Sequence, residues 1–285
     1  MPELPEVEAT ARLLDRAVAG ARIESVLAPG INTLKTFDPP LGALEGRRIE
    51  RVRRRGKHLI IDVSGGLALL IHLMSAGRLQ LFDKPAGPRD RTSRLLLRLR
   101  TPDGVEHELR LREFGSKQAA WAKLLSGDAL EHDEALAKLG PDAWPEPPEA
   151  KIFTDAPRPL HALLRDQRAT AGIGRSWADE ILWVARLSPF KRGSDLSVDE
   201  AERLRSAIAA KLGGAIVYYD SELALPIPDK LPMPLEVHRH EGEPCPRCGA
   251  TLGAVHFEDY VIAYCPACQT EGRILKDRRM SRLLR

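Results

Sequence analysis

The strongest constraint on this chain comes from its four cysteines. Cys245 and Cys248 form one Cys-x-x-Cys pair, Cys265 and Cys268 a second, with sixteen residues between the pairs. A two-residue gap lets both sulfurs of one tight turn reach the same ion, and two such turns joined by a hairpin complete a tetrahedron. Binding the ion then supplies folding energy to a segment too short to own a core. The spacing predicts one structural Zn2+ held by all four thiolates, with no open position for catalysis. A redox dithiol is the rival reading, but it accounts for one pair rather than two matched ones. The chain has no other cysteine, which argues against a disulfide-stapled secreted fold. A zinc ribbon names no function by itself, since transcription, translation and repair proteins all use one.

The 285-residue chain has room for one large or two ordinary domains. Pro5 suits the first turn of a short helix, and Val7, Leu13, Leu14, Ala17 and Val18 follow at roughly helical spacing. Strand runs come next at 57–63, 67–73, 93–100 and 105–112, and Thr101-Pro-Asp-Gly104 signals a hairpin between the last two. A proline-rich stretch, 140–148, reads as a linker. Helices are expected near 160–168, 176–185 and 198–212, the last opened by Ser197 with Glu200 three residues on. The expected fold class is α+β. An antiparallel β-sandwich with an N-terminal helix fills 1–140, a linker 141–151 and a helical domain 152–240. A zinc-finger hairpin over 241–272 and a basic tail over 273–285 complete the chain.

The formal net charge is only +3, too mild to argue for nucleic acid alone. Its distribution says more. Seven basic residues and one acid lie between Arg47 and Lys57, and residues 271–285 carry six basic residues and two acids. Each run alone is usually a solvated face; two in one chain favour a polyanionic partner. The N-terminal twenty residues alternate acids with apolar residues, so neither a signal peptide nor a membrane span is expected there. A soluble, cytoplasmic, monomeric protein is the expectation.

The chain opens Met1-Pro-Glu-Leu-Pro-Glu-Val-Glu8. Acids at a helix start suit the helix dipole. A second reading follows if Met1 is removed: Pro2 then exposes a secondary amine, less basic than lysine, that can attack a sugar C1′ and form an iminium. Glu3 and Glu6 beside it can move protons on the opened sugar.

This opening, together with the C-terminal cysteine pairs, resembles the formamidopyrimidine-DNA glycosylase and endonuclease VIII family, and its formamidopyrimidine branch more closely. Leu164-Arg-Asp-Gln-Arg-Ala-Thr-Ala-Gly-Ile-Gly-Arg-Ser-Trp-Ala-Asp-Glu-Ile-Leu182 resembles the family's helix–two-turn–helix, and Arg55-Gly-Lys-His-Leu59 its Arg-Gly-Lys segment. Glu241-Gly-Glu-Pro-Cys245 resembles the lead-in to its finger. The resemblance implies excision of a damaged base from double-stranded DNA, followed by strand cleavage at the abasic sugar. Pro2 would be the nucleophile, Glu3 the acid and base on the sugar, Glu6 its support, and Lys57 a lysine near the lesion. Gly172 and Gly174 would let backbone N–H groups approach phosphate.

The chain departs from the family pattern in five places. Arg175 stands where an asparagine donates to phosphate. Tyr260 stands at the finger arginine that grips phosphate and aids the second elimination, so cleavage mainly by β-elimination is expected. The hole left by the extruded base is filled in the family by Met, Arg and Phe. Here Met74 comes one residue early in His72-Leu-Met-Ser-Ala-Gly77, while Arg112 and Phe114 remain. Either Ser75 leaves the hole poorly filled or a bulge re-aims Met74. Glu113 replaces a cation expected near phosphate. Finally, Ala224–Pro234 replaces a Gly-rich capping loop with a proline-rich one, which argues against 8-oxoguanine as the lesion. These departures also motivate an alternative of a different class, a damaged-DNA-binding protein with little catalysis. His58 and His72, in apolar strand runs, read as packed histidines, and Trp177 and Trp183 as core.

Overall fold

The computed structural model describes residues 2–30, 32–87, 90–114 and 118–276. The chain divides into two units, Met1–Lys138 with Ile216–Pro232 and Leu139–Ala215 with Met233–Arg285.

In the first unit, helix α1 (Leu4–Val18) starts at Glu3, and Pro5 sits in its first turn, where an N–H has no intrahelical partner. Leu4, Val7, Ala11, Leu14 and Val18 recur every three or four residues and are all buried, so one face of α1 belongs to the core. Eight strands follow: β1 (Arg22–Leu27), β2 (Ile49–Arg55), β3 (His58–Val63), β4 (Leu67–His72), β5 (Gly77–Phe82), β6 (Ser93–Arg100), β7 (Glu106–Glu113) and β8 (Trp121–Ser126). They form two antiparallel sheets, ordered β1-β6-β7-β5 and β2-β3-β4-β8. The turn at Thr101–Gly104 joins β6 to β7, with the Gly104 N–H donating to the Thr101 carbonyl at 2.9 Å.

β6 alternates buried and solvent-facing residues, burying Leu95, Leu97 and Leu99. β3 and β4 are instead buried almost throughout. Ile60, Ala68 and Leu70 pack with Leu125 and with Leu130 of α2 (Gly127–His132), and Leu136 of α3 (Glu134–Ala137) leans on the same cluster. This is why their sequences lack the polar–apolar alternation of β6.

The second unit holds α4 (Lys151–Thr154), α5 (Leu160–Arg165), α6 (Arg175–Ala185) and α7 (Val198–Glu222). The hairpin β9 (Gly253–His256) and β10 (Val261–Tyr264) follows, then α8 (Pro266–Thr270). Ser197 and Glu200 open α7 reciprocally: the Glu200 N–H donates to Ser197 Oγ at 3.2 Å and the Ser197 N–H to Glu200 Oε2 at 2.9 Å. The proline-rich stretch is docked rather than free. Ala143 N–H donates to the Ala171 carbonyl at 3.0 Å and Ala171 N–H to the Pro141 carbonyl at 2.8 Å. Helix α7 runs ten residues past the expected Leu212, and its residues from Ile216 to Glu222 belong to the first unit. Among the described residues, no helix is long and apolar enough to cross a membrane. The tail beyond residue 276, with Arg278 and Arg279, lies outside the described residues.

Candidate active site

Pro2 is buried at the start of α1, and Glu3 and Glu6 are each only 2 % exposed. Glu6 organises this cluster with both carboxylate oxygens. Oε2 accepts from the Glu3 backbone N–H at 2.7 Å, and Oε1 accepts from the Tyr219 hydroxyl at 2.8 Å. Glu6 therefore fixes the backbone that carries Pro2. Burial, then the charge of Glu3, pushes the Glu6 carboxyl above the usual carboxylate range, and these hydrogen bonds oppose the shift. Burial and Glu6 push the Tyr219 phenol far upward, so it remains a donor. Tyr219 escaped the sequence reading because it lies on the stretch of α7 beyond Leu212.

Lys57 sits at the β2–β3 turn, where Arg55 pairs with His58. Gly56 at φ +57° makes this two-residue connection possible. Lys57 is 8 % exposed. Beside it the His58 and His72 rings lie 4.7 Å apart, and His72 stacks on Trp121 at 5.7 Å. Burial lowers His58 to about 4; burial, then His58 and Lys57, lowers His72 to about 3. Both rings are neutral at pH 7. His72 Nδ1 accordingly accepts the Met74 backbone N–H at 3.0 Å.

Met74 is not part of a strand. It lies in a turn closed by the Gly77 N–H donating to the Leu73 carbonyl at 2.8 Å, and its φ is +49°. A strand bulge therefore does not aim Met74. The turn meets the end of β7: Phe114 N–H reaches the Ala76 carbonyl at 3.4 Å, and the Arg112 guanidinium lies 4.7 Å over the Phe114 ring. Arg112 is held from several sides, donating to Thr92 Oγ1 at 2.9 Å, Gln80 Oε1 at 3.2 Å and Asp229 Oδ1 at 3.1 Å. Gln80 Nε2 also donates to Asp229 Oδ1 at 3.0 Å and to the Ile227 carbonyl. With Ile227 and Leu231 buried, the proline-rich segment is strapped to β5 and β7. Glu113 does not stand among phosphate contacts. It is buried, and its Oε1 accepts from Ala119 and Ala120 N–H at 2.7 and 2.9 Å.

In the second unit, α5 and α6 are joined through tight turns at 166–174. Gly172 takes φ +108°, closed to most L residues. Gln167 ties the turn, its Oε1 accepting from Gly172 N–H at 2.9 Å and its Nε2 donating to the Ile173 carbonyl at 2.8 Å. Gly174 is the N-cap of α6, and Arg175 its first residue. Arg175 reaches the finger hairpin, donating from Nη1 to the Asp259 carbonyl at 2.8 Å and pairing through Nη2 with Asp259 Oδ2 at 3.1 Å. Tyr260, also at the hairpin tip, stacks on Phe257 at 4.5 Å. The guanidinium groups of Arg165 and Arg175 lie 4.4 and 4.9 Å from its ring centre.

Two buried acids of α6 fasten the hairpin and the segment at 236–238 that precedes the finger. Asp179 Oδ2 meets His238 Nδ1 at 2.7 Å and accepts from Ala263 N–H at 3.1 Å. Glu180 Oε1 accepts three consecutive backbone N–H groups, from Glu236, Val237 and His238, and Oε2 pairs with Lys211 at 3.0 Å. Removing either acid would leave buried donors unmatched. The ligand atoms of Cys245, Cys248, Cys265 and Cys268 all lie within 4.8 Å of one another, close enough for one ion at sulfur-ligand distances. Burial raises the Cys265 and Cys268 thiols, whereas hydrogen bonds from Trp183 Nε1–H and backbone N–H groups bring Cys245 down to about 6 despite its burial. This quartet can hold a metal ion.

Comparison with known proteins gives the family. The model of the formamidopyrimidine-DNA glycosylase N-terminal domain matches residues 1–116, and that of the family's H2TH domain matches 139–224. The formamidopyrimidine-DNA glycosylase of Thermus thermophilus is 35 % identical, with 95 % of this chain and all of the relative covered. The chain belongs to the formamidopyrimidine-DNA glycosylase family. Solved relatives agree in fold. The Lactococcus lactis Fpg bound to abasic-site DNA superposes with a TM-score of 0.83 at 28 % identity, covering 94 % of this chain and 99 % of that one. The same enzyme with N7-benzyl-Fapy-dG DNA gives a TM-score of 0.82 at 28 % identity, covering 94 % and 100 %.

Against the pattern of formamidopyrimidine-DNA glycosylases, Met74 falls on the place of the glycine in His-Leu-Gly-Met-Ser-Gly. Its positive φ is a glycine-like conformation. The methionine's place is taken by Ser75, which is exposed. The two departures in the second unit also meet in space. The Arg175 guanidinium at the helix start lies 4.9 Å from the centre of the Tyr260 ring.

Proposed function

We propose that this chain is a base-excision-repair DNA glycosylase with abasic-site lyase activity, acting on damaged duplex DNA through the Pro2 nitrogen. The observation that carries the reading is the Pro2–Glu3–Glu6 cluster: a buried N-terminal segment held by a carboxylate that is itself held by Tyr219. Once Met1 is removed, the Pro2 amine attacks C1′ of an extruded nucleotide. Glu3, anchored through its backbone by Glu6, moves the proton on the sugar oxygen as the ring opens. Lys57, buried at a hairpin tip beside two neutral histidines, serves the lesion's phosphate. Arg112, Phe114 and the Met74 turn form the surface that enters the duplex, with Ser75 leaving that wedge short on one side. Gly174 and Arg175 receive a phosphate at the start of α6.

Zinc is the metal that suits the four-cysteine set, because four thiolates close a tetrahedron and leave no exchangeable position. It holds the finger's loops in place and takes no part in the reaction. Four cysteines free of disulfides suit a reducing compartment, which supports the cytoplasm as the place of work; the chain is read as a monomer on DNA. The domain division that goes with this reading is a catalytic sandwich over 1–140, a docked linker at 141–151, a helical domain over 152–240, a finger at 241–272 and a basic tail at 273–285. Tyr260 lacks the charge and acidity of the family's finger arginine, so strand cleavage stops mainly after β-elimination.

Borohydride trapping on a duplex with one abasic site tests the proposal. A covalent adduct is expected with the native chain and not with Pro2→Gln, which retains Met1. No adduct from a preparation whose first residue is Pro2 by mass spectrometry would refute the mechanism. On sequencing gels a dominant 3′-phosphate product would refute the β-elimination reading.

A further inference from the structure

Arg78 has no place in the chemistry above, yet its setting is unusual for a cation. It is the second residue of β5, an edge strand, and pairs across to Arg112 of β7. Residues 78 and 80 share one face of β5 with residue 112 opposite, and over this face lies the strap that carries Ile227 and Asp229. The neighbouring cation, Arg112, is matched by Asp229. Arg78 is not matched. Nη1 donates to the carbonyl of the preceding residue, Gly77, at 2.7 Å, and Nε is closed off from solvent without an acceptor. Among the described residues no carboxylate lies within ion-pair distance of Arg78; the acids whose charge it feels are Glu6 and Asp229.

A half-buried guanidinium with an unfilled donor is costly unless something fills it. Nε itself is out of reach from outside, but Nη2 is neither closed off nor given an acceptor, and a ligand that meets it comes to a position near Glu6, the residue that anchors the candidate nucleophile. A backbone phosphate stays at the surface, and a surface cation would serve it. An extruded base is flat, enters the protein and presents carbonyl oxygens in its plane, which suits the planar fork of an arginine.

Resting on the proposed function above, we infer that Arg78 is a specificity-determining and catalytic residue that donates to a carbonyl oxygen of the extruded, ring-opened or oxidised base. In the excision step the Pro2 lone pair forms the bond to C1′. The electron pair of the C1′–N bond leaves with the base, and the proton lost by the Pro2 nitrogen completes the departing base. Negative charge develops on the base before that proton arrives, and Arg78 stabilises it where it spreads onto the carbonyl. Arg78 has no task once the base is gone.

The test compares two duplexes, one with a formamidopyrimidine-guanine residue and one with an abasic site, under single-turnover conditions. Arg78→Gln should slow base excision by about a hundredfold, while abasic-site cleavage and borohydride trapping stay within about twofold of the native chain. Arg78→Lys should recover part of the excision rate, since one donor remains in a less suitable geometry. The Tm of Arg78→Gln should equal or exceed that of the native chain, because an unmatched buried charge is removed. Equal losses on both duplexes, unchanged excision, or a fall in Tm that tracks the loss would overturn the inference. So would a native chain that traps abasic DNA but leaves formamidopyrimidine-guanine in place. Failure of the native chain to trap abasic DNA would instead count against the proposed function itself.

Discussion

Acid should weaken the fold chiefly through the two histidines beside Lys57, and the size of the effect follows from their burial. His58 is lowered from 6.5 to about 4, so the unfolded chain takes up a proton at this position well before the folded chain does. Stability from keeping the ring neutral is fully present above the unfolded value and is lost as pH falls through the window between 6.5 and about 4. Between pH 7 and pH 5 linkage gives a loss of about 2 kcal/mol for His58. His72, lowered to about 3, adds about as much over the same interval. His58→Gln removes one of the two titrations. Urea unfolding at pH 7 and pH 5 should then show a pH-dependent loss smaller by about 2 kcal/mol than in the native chain. An identical loss in both proteins would mean that the ring already takes a proton in the folded state, and the burial argument would fail. The site should respond as well. Protonated His72 cannot accept the Met74 N–H, so the turn that packs against Phe114 should loosen in acid.

Three further outcomes are expected. Tyr219→Phe removes a hydrogen bond that lowers the Glu6 carboxyl, so Glu6 should hold its proton to higher pH. The acid limb of kcat/KM should move upward, and an unmoved limb would show that ionised Glu6 is not required. Asp229→Asn frees Arg112 from an exposed ion pair at little cost to stability, less than about 1 kcal/mol. It should steepen the salt dependence of binding to an uncleavable abasic-analogue duplex by about 0.9 in log K against log salt, whereas an unchanged slope would show that Arg112 never reaches phosphate. Chelation of the metal should remove the ordered finger and with it tight abasic-DNA binding, read by circular dichroism and fluorescence anisotropy, with both recovered on adding Zn2+. Retained binding after complete metal loss would show that the finger does not hold DNA.

What could be read from the sequence was what is local along it. The cysteine pairs, the acidic proline opening and the glycine-rich turn before α6 each lie within a few residues, and their chemistry depends on that spacing. The alternation of polar and apolar residues at the end of the 105–112 run marked a strand, but β7 buries Glu108, Leu109, Arg110 and Leu111 in succession, and the clean alternation of burial falls on Ser93–Arg100 instead. Tyr219 was not legible, since it depends on α7 continuing through Gly213 and Gly214, residues that weaken a helix in isolation and are overridden here by packing. Glu113 was misjudged because its neighbours in the chain suggested a charged surface, while its carboxylate turns inward to Ala119 and Ala120. The cations show the limit most plainly. Arg112 and Arg175 look alike in sequence as DNA-contacting arginines, and each is matched by an aspartate from a distant segment, Asp229 in one case and Asp259 in the other. Arg78, by contrast, lies on an edge strand and has no ion-pair partner among the described residues. A charge run counts cations, but only the folded chain decides which of them still has a vacancy for a substrate.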